Sequence, residues 1–218
     1  MTPPRKILRI RNAAKSDVPR VAELYKRVYP DSCHYSHKAL EGQIRNFPEG
    51  VFVAIADEEI VGYCATLLKT EGEVWTEHTW RGITGGGHGE GHDPKGRWLY
   101  GYEIFVDPTC RRQGVGYRLY RARADLCQRQ RFKGIAICGR LPLLRKRLSS
   151  VGTPQAYVRA VQENKIPDPT FHFQARQGFK FQKVMPGYLP VDEESLGYAA
   201  FMVWRNPDVP VAQSATDR

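Results

Sequence analysis

Apolar and polar positions recur along this chain at the spacings typical of strands and helices. Helical spacing of three and four predicts helices at residues 18–28, 36–45, 115–126, 143–148, 154–164 and 171–176. Shorter apolar or alternating runs predict strands at residues 7–11, 51–56, 60–68, 98–106, 134–138, 178–184 and 198–204. Strands and helices mixed in this order predict an α/β fold.

The order of these elements also predicts how some of them pair. The strands at 51–56 and 60–68 are joined by three acidic residues and predict a hairpin. The strands at 98–106 and 134–138 are separated by a helix, which predicts parallel pairing through a right-handed crossover. With 218 residues, 41% of them hydrophobic and 26% charged, the chain is expected to form one soluble domain with a single sizeable core.

The turn after the strand at 98–106 suits an anion. It begins at Asp107-Pro108 and enters a helix whose apolar stripe is Val115, Leu119, Ala122 and Leu126. Gly114 and Gly116 leave no side chain over the turn, so backbone N–H groups can converge on phosphate oxygens at the positive end of the helix dipole. We therefore interpret the turn as a pyrophosphate-binding loop.

Charge supports a polyanionic ligand for this helix. The net charge is +10, and residues 111–131 contain seven arginines but a single acidic residue, Asp125. Nucleic acid and an acidic membrane are alternative partners for such a charge. The arginines lie beside a glycine turn without an aromatic platform, which disfavours nucleic acid. The chain has no apolar run near ~20 residues and no secretory signal, so we expect a cytoplasmic protein without a membrane partner.

The succession of strand, Arg-x-x-Gly-x-Gly and helix resembles the signature of the GNAT superfamily of acyl-CoA-dependent N-acyltransferases. The resemblance implies the GNAT fold, a mixed, mostly antiparallel central sheet with a splayed parallel strand pair, flanked by helices. It implies acetyl-CoA as cosubstrate, with pantetheine along the fourth strand and pyrophosphate at the loop. The cofactor-binding residues on this basis are Ile104, Phe105, Val106, Arg111, Arg112, Gln113, Gly114, Val115 and Gly116.

Two further stretches, residues 75–86 and 203–207, look like a particular GNAT branch in which the acetyltransferase region often precedes a carbon–nitrogen hydrolase domain. The similarity covers nearly residues 7–208. We accordingly expect one GNAT domain over residues 1–208 and a flexible tail at 209–218. The hydrolase part is missing from this chain, so amidase activity is not expected, whereas a separate hydrolase partner and a homodimer are candidate partners.

The resemblance implies an acetyl transfer to a primary amine by direct attack in a ternary complex. Family members often use a glutamate on the fourth or fifth strand as base, and Glu103 is the only carboxylate within residues 98–106 and 134–139. Strict strand alternation places Glu103 on the face opposite to Tyr100 and Tyr102. A structural acid paired with a nearby arginine is the alternative for Glu103.

The general acid is harder to assign. Many relatives have a tyrosine four residues before a Gly-Phe pair, but Gln174 stands at that position here. Tyr188 is the nearest later phenol and is our candidate acid, with a packed tyrosine or solvent protonation as alternatives. The missing tyrosine motivates a second function, an acyl-CoA-binding regulatory module with weak catalysis, and a basic nucleic-acid-binding protein is a third.

Two long segments interrupt the predicted elements. Residues 69–97 contain tryptophans, histidines and three consecutive glycines, and we interpret them as a lid over the acceptor site, with Glu77, His78 and Trp80 as substrate-binding candidates. Residues 140–167 carry two helical patterns and form a helical insert that covers the acceptor cleft or a partner surface.

Neither histidines nor cysteines point strongly to other chemistry. His88 and His92 are four residues apart, but the glycines at 87, 89 and 91 disfavour the helix that would bring them together, so no metal site is expected. The five cysteines lack a Cys-x-x-Cys pair and are interpreted as free thiols: Cys33, Cys64, Cys110, Cys127 and Cys138. Cys138 is left out of the catalytic set because no histidine adjoins it in sequence.

Overall fold

A seven-stranded mixed sheet runs through the computed structural model, which describes residues 8–30 and 35–210. Its strands are β1 Leu8–Asn12, β2 Val51–Ala56, β3 Glu59–Lys69, β4 Trp98–Val106, β5 Gly134–Arg140, β6 Lys180–Met185 and β7 Ala199–Arg205. The helices in the described part are α1 Val18–Val28, α2 His37–Asn46, α3 Glu71–Trp75, α4 Trp80–Thr84, α5 Val115–Arg129, α6 Leu144–Val151, α7 Pro154–Gln162 and α8 Pro169–Arg176.

The strand order β1-β2-β3-β4-β5-β7-β6 confirms the predicted sheet. Every neighbouring pair is antiparallel except β4 and β5, which are parallel and connected through α5. A parallel pair needs such a crossover because its strands enter the sheet from the same end. The N-terminus of α5 therefore lies at the end of the sheet where β4 finishes.

Helices cover both faces of the sheet. The α5 face packs against α5 to α8 through residues such as Leu119, Val158 and Phe171. The α1 face packs against α1 to α4 through residues such as Leu24 and Leu40. The internal strands β2 and β3 are apolar on both faces for this reason, and they read as continuous apolar runs in the sequence.

The predicted lid segment, 69–97, is more ordered than a plain loop. It contains α3, capped by Thr70, and α4, which ends at Gly85 in the left-handed region with φ +63°. Trp75 packs edge-on against Trp98 and Phe201, with ring centroids 6.3 and 5.1 Å apart. Helix caps and a partly buried aromatic anchor, Trp75, therefore give this segment structure that apolar periodicity alone does not reveal.

The predicted helical insert, 140–167, contains α6 and α7 on the α5 face. The buried Tyr157 donates a 2.6 Å hydrogen bond to Asp168, whose other carboxylate oxygen accepts from Phe171 N and caps α8. The insert is thus joined to the helix that follows it. Of the predicted tail, residues 211–218 lie outside the described residues, as does Cys33.

Gly134 provides a test of close packing at the start of β5. A Cβ atom there would lie 2.4 Å from the carbonyl oxygen of Trp204 and 2.6 Å from the ring of Trp98. We expect Gly134→Ala to lower the free energy of unfolding by about 1–3 kcal/mol, because backbone and a buried ring must both shift. Urea denaturation measures the change.

The matched control is Gly72→Ala, since Gly72 is exposed in α3 and a Cβ there meets no atom within 4 Å. Alanine favours a helix over glycine by roughly 0.5–1 kcal/mol, so this variant should be as stable as the parent or slightly more stable. Equal stability of the Gly134→Ala and parent proteins would contradict the packing argument.

Candidate functional site

A gap opens where β4 and β5 separate. Their parallel pairing runs from Trp98 opposite Gly134 to Gly101 opposite Ile137, and the described residues form no later pair between these strands. β4 nevertheless continues to Val106 and β5 to Arg140. Residues 102–106 therefore have a backbone edge that β5 does not use, where an extended ligand can pair with the strand.

A bulge in β4 stands beside this gap. Ala65 of β3 pairs with Glu103 and Thr66 pairs with Gly101, so Tyr102 is an extra residue. The fully buried Arg123 of α5 donates to the carbonyl oxygens of Ala65, at 3.0 Å, and Glu103. A Cβ at Gly101 would lie 3.1 Å from that guanidinium, so glycine gives it room. The side chain of Arg123 thus holds the bulge from the α5 face.

The bulge overturns the predicted alternation. Tyr100 lies opposite Leu67 and Glu103 opposite Ala65, and both of these β3 residues belong to the α1 face. Glu103 and Tyr100 therefore share the α1 face, where Tyr102 also packs. The prediction that Glu103 faces away from the two tyrosines was wrong, because the extra residue reverses the alternation within the strand.

Glu103 sits on the α1 face in a tyrosine pocket, formed by residues whose pKa values its charge raises: Tyr29, Tyr35, Tyr63 and Tyr102. Tyr35 donates a 2.8 Å hydrogen bond to its Oε2, and the N–H of Ile104 donates to Oε1 at 3.2 Å. Burial raises the pKa of Glu103 to about 7, although these two hydrogen bonds and Arg123 favour the charged form. A carboxyl group with this pKa exchanges protons near neutral pH, as a general base must.

The predicted pyrophosphate loop begins at an anchored aspartate. Asp107 accepts from the N–H and hydroxyl of Thr109, at 2.9 and 2.6 Å, and from Arg27 Nε at 3.0 Å. Gly114 then forms the N-cap of α5 with φ +83°, and a Cβ there would meet no atom within 4 Å. Glycine is therefore favoured by the left-handed backbone rather than by crowding.

The first bond of α5 runs from Arg118 N to Gly114 O at 3.0 Å, so the N–H groups of residues 115–117 precede the helical ladder. Arg111, Arg112 and Gln113 are exposed beside them. Gly116 would place a Cβ 3.1 Å from the ring of Phe173. The local geometry is that of a helix N-terminus open to an anion.

The seven arginines of this region do not act alike. Arg123 is buried against the β4 bulge, whereas the other six are exposed: Arg111, Arg112, Arg118, Arg121, Arg129 and Arg131. The sequence gives one signal for the buried role of Arg123: the residue lies four positions after Leu119 and hence on the apolar stripe of the helix. Tyr35, the partner of Glu103, gives no comparable signal in the sequence.

Tyr188, the candidate acid, belongs to the loop between β6 and β7. Its hydroxyl lies 3.0 Å from that of Tyr100, which lies 2.8 Å from His78 Nε2. Burial raises the pKa of Tyr188 well above its usual value, and Cys138 and Glu103 raise it further. The structure therefore brings Tyr188 and His78 together through Tyr100, a residue without an assigned role in the sequence.

Two salt bridges from Arg140 hold the loop that carries Tyr188. Arg140, at the end of β5, makes two 2.6 Å contacts to the carboxylate of Asp192 and a 3.0 Å contact to Glu194. Ser195 bonds the same aspartate at 2.6 Å and accepts from Leu141 N at 2.9 Å. The bidentate arginine holds the loop beside the gap between β4 and β5.

Gln174 occupies the space where many relatives carry a tyrosine. It is buried on α8, and a Cβ at Gly139 of β5 would lie 2.1 Å from its Oε1. The amide therefore lies directly over the backbone of β5. An amide does not release a proton as a phenol does, so this position contributes no acid.

The other acceptor candidates are less closely grouped. Glu77 is exposed, whereas Trp80 donates from Nε1 to Tyr102 O at 3.2 Å and stands against Gly87. His92 stacks on Phe47 at 4.5 Å and accepts from Leu68 N at 3.1 Å, which gives it a structural role. Trp80 thus anchors the segment, and its ring lies 6.2 Å from that of Tyr35.

Cys138 is poorly suited to covalent catalysis. Burial raises the pKa of Cys138 to about 12, which disfavours the thiolate required for an acyl-enzyme. Within residues 8–30 and 35–210 no cluster of three or more His, Cys, Asp and Glu side chains is arranged to hold a metal. The same described residues contain no helix long and apolar enough to span a bilayer.

Comparison with known proteins identifies relatives. The family model described as the acetyltransferase (GNAT) family matches residues 18–143. "Probable hydrolase YhcX" of Bacillus subtilis strain 168 is 38% identical over 199 residues, which are 91% of this chain but 39% of that protein. The chain therefore spans well under half of that relative.

Two further comparisons cover nearly the whole of the proteins they match. "Uncharacterized N-acetyltransferase YkwB" of Bacillus subtilis strain 168 is 32% identical over 203 residues, covering 91% of this chain and 89% of that protein. The solved structure titled "GphF GNAT-like decarboxylase in complex with isobutyryl-CoA" aligns with a TM-score of 0.78 and 22% identity, covering 91% and 99% of the two chains. That likeness supports the fold.

Proposed function

The chain belongs to the acetyltransferase (GNAT) family of acyl-CoA-dependent N-acyltransferases, and we propose that it transfers an acetyl group from acetyl-CoA to a primary amine by direct attack in a ternary complex. The observation that carries the proposal is Glu103, a carboxyl group with a pKa of about 7 beside the gap between β4 and β5. A neutral-pH base at this point suits the deprotonation of an attacking amine.

Acetyl-CoA is proposed to lie along β4 and the start of α5. The N–H groups around Gly114 and Gly116 bind its pyrophosphate, and Arg111, Arg112 and Gln113 surround the phosphates with polar and basic groups. Pantetheine pairs with the free edge of residues 104–106. The N–H of Ile104 already donates to Glu103 Oε1, so another backbone N–H of this edge polarises the thioester carbonyl. The left-handed Gly114 and the unpaired strand edge support this placement.

The chemical step is then divided between two side chains. Glu103 accepts the proton of the amine as its nitrogen attacks the thioester carbon. When the carbon–sulfur bond breaks, Tyr188 gives its phenolic proton to the departing thiolate. Glu77, His78 and Trp80 are proposed to face the acceptor, because Trp80 of their segment bonds the backbone of Tyr102 and His78 bonds the hydroxyl of Tyr100.

A second candidate function is an acyl-CoA-binding module with weak turnover. The observation that favours it is the buried Gln174, which replaces the phenol of many relatives and packs on Gly139. In that case the loop at Gly114 binds the cofactor and Tyr188 has only a packing role. Binding without transfer distinguishes this function from the first.

The test is a panel of primary amines incubated with acetyl-CoA or isobutyryl-CoA and followed by mass spectrometry. We expect an acetylated amine and one equivalent of free coenzyme A for each acyl group transferred. Tight coenzyme A binding with no product across a broad panel would favour the regulatory module.

DNA binding is tested by competition with coenzyme A. If coenzyme A displaces duplex DNA, both anions bind at one surface. DNA binding that is sensitive to salt but indifferent to coenzyme A would favour a nucleic-acid-binding protein.

A further inference from the structure

Three side chains form a hydrogen-bonded line from the surface to the gap between β4 and β5. His78 Nδ1 lies 2.8 Å from the carbonyl oxygen of Thr76, and His78 Nε2 lies 2.8 Å from the hydroxyl of Tyr100. The hydroxyls of Tyr100 and Tyr188 are 3.0 Å apart. Tyr100 and Tyr188 are buried, whereas His78 is partly exposed, so only the histidine end reaches solvent.

The Thr76 carbonyl sets the direction of these hydrogen bonds. A carbonyl oxygen only accepts, so Nδ1 of His78 carries a hydrogen, and Nε2 of the neutral ring is an acceptor. Tyr100 has a single hydroxyl hydrogen, which points to the Tyr188 hydroxyl in the structure. The neutral ring can take that hydrogen at Nε2 instead, and the Tyr100 oxygen then accepts the hydrogen of Tyr188. If Nε2 gains a proton, Tyr100 donates to Tyr188 instead, and the hydrogen of Tyr188 is released toward another acceptor.

The inner end of the line lies beside the proposed reaction centre. Tyr100 stands one residue before the last parallel pair of β4 and β5, and Cys138 is the first β5 residue beyond that pair. Cys138 and Glu103 both influence the Tyr188 hydroxyl. Trp80 N donates to Tyr188 O at 2.7 Å, which joins the segment of His78 directly to the loop of Tyr188.

We propose that His78, Tyr100 and Tyr188 form a proton relay that replaces the proton given by Tyr188 to the coenzyme A thiolate. This inference rests on the proposed acyl transfer. When the carbon–sulfur bond breaks, the thiolate takes the Tyr188 proton, Tyr188 takes one from Tyr100, and Tyr100 takes one from Nε2 of His78. The imidazole has acquired that proton from solvent water, so each turnover consumes one solvent proton and leaves the three side chains unchanged.

The charges around His78 suit a group that holds its proton briefly. Burial lowers the pKa of His78, and Lys183 of β6 and Lys69 of β3 lower it further, against the opposing effect of the backbone carbonyls of Thr76 and Glu73. Tyr100 and Tyr188 face the ring with centroids 5.3 and 5.9 Å away. A neutral resting imidazole returns a captured proton readily.

A double-mutant cycle tests whether His78 acts through Tyr188. We expect Tyr188→Phe to lower kcat by about 100-fold and His78→Ala by about 10-fold, within the range of general acid catalysis. The double variant should be no slower than Tyr188→Phe alone. The relay would be overturned if the two losses of kcat multiplied in the double variant. It would also be overturned, in favour of acceptor binding, if His78→Ala raised only the amine KM.

His92→Ala is the matched control, since His92 is a half-buried histidine of the same segment that stacks on Phe47. Its rate should stay within about twofold of the parent when compared at equal folded fraction. A loss equal to that of His78→Ala would mean that disturbance of the segment, rather than proton transfer, explains the kinetics.

A measurement independent of activity separates failure of the relay from failure of acyl transfer. Nitrogen-15 NMR of the histidine rings should show His78 as the Nδ1–H tautomer in the parent and a mixture of tautomers in Tyr100→Phe. An Nε2–H tautomer in the parent would overturn the relay whether or not the protein transfers acetyl groups. The expected tautomer in a protein that fails to acetylate any amine would contradict the proposed function, and with it the relay.

Discussion

Glu103→Gln is expected to lower kcat/KM by about 100-fold or more at pH 7, because it removes a general base while keeping the size and polarity of the side chain. The hydrogen bond from Tyr35 to Oε2 has an amide oxygen to accept it in the variant. The affinity for coenzyme A should not change, since the proposed cofactor contacts lie on backbone atoms and the loop at Gly114. Steady-state kinetics and calorimetry measure the two quantities.

The pH dependence of the rate tests Glu103 as the base. Burial raises the pKa of Glu103 to about 7, and only the ionised form accepts a proton. The rate of the parent should therefore rise with pH through about 7 and lose this limb in the Glu103→Gln variant. The acceptor amine also titrates, but its titration affects both proteins equally. The ratio of the parent rate to the Glu103→Gln rate therefore isolates Glu103. This ratio should rise tenfold per pH unit up to about pH 7 and level off above it.

Glu77→Gln is the control for Glu103, because Glu77 is an exposed carboxylate on the adjoining segment. It should alter the acceptor KM at most and leave the limb near pH 7 in place. An unaltered rate in Glu103→Gln, or loss of the limb in Glu77→Gln, would remove Glu103 from the mechanism.

Gly114→Glu is expected to weaken coenzyme A binding by at least about 100-fold, equivalent to ~2.7 kcal/mol. Two effects add at this position. The backbone has φ +83°, which costs a residue with a Cβ roughly 1–2 kcal/mol, and the added carboxylate repels the pyrophosphate at the open N-terminus of α5. Isothermal titration with coenzyme A measures the loss, and Gly114→Ala separates strain from charge.

Gly152→Glu is a close control for this substitution. Gly152 has φ +86° at the end of α6, and a Cβ there also meets no atom within 4 Å. Both glycines have a positive φ, with ψ 1° at Gly114 and −44° at Gly152, and no phosphate site is proposed near Gly152. Normal coenzyme A affinity in Gly114→Glu, or an equal loss in Gly152→Glu, would show that the pyrophosphate binds elsewhere.

Most of the secondary structure was predicted from the sequence because its signals are local. β4, Trp98–Val106, coincides with the predicted strand, and the predicted helices at 18–28 and 171–176 agree with α1 and α8 to within two residues. Burial on both faces gives β2 and β3 unbroken apolar runs, and helical burial gives α5 its stripe. Short capped helices such as α3 and α4 lack a long enough pattern to be detected.

The composition and order of residues alone determined the family, the crossover between β4 and β5, and the loop at Gly114. Each depends on a strand, a glycine turn and a helix that follow one another directly in the chain. Only the tertiary structure decided which face Glu103 occupies, that Arg123 is a core residue, and that His78 meets Tyr188 through Tyr100. An extra residue in one strand reverses every later side chain, and the shift depends on pairing with β3 and on a guanidinium from α5. Contacts between residues 78, 100 and 188 likewise depend on how distant segments pack, and no local pattern encodes them.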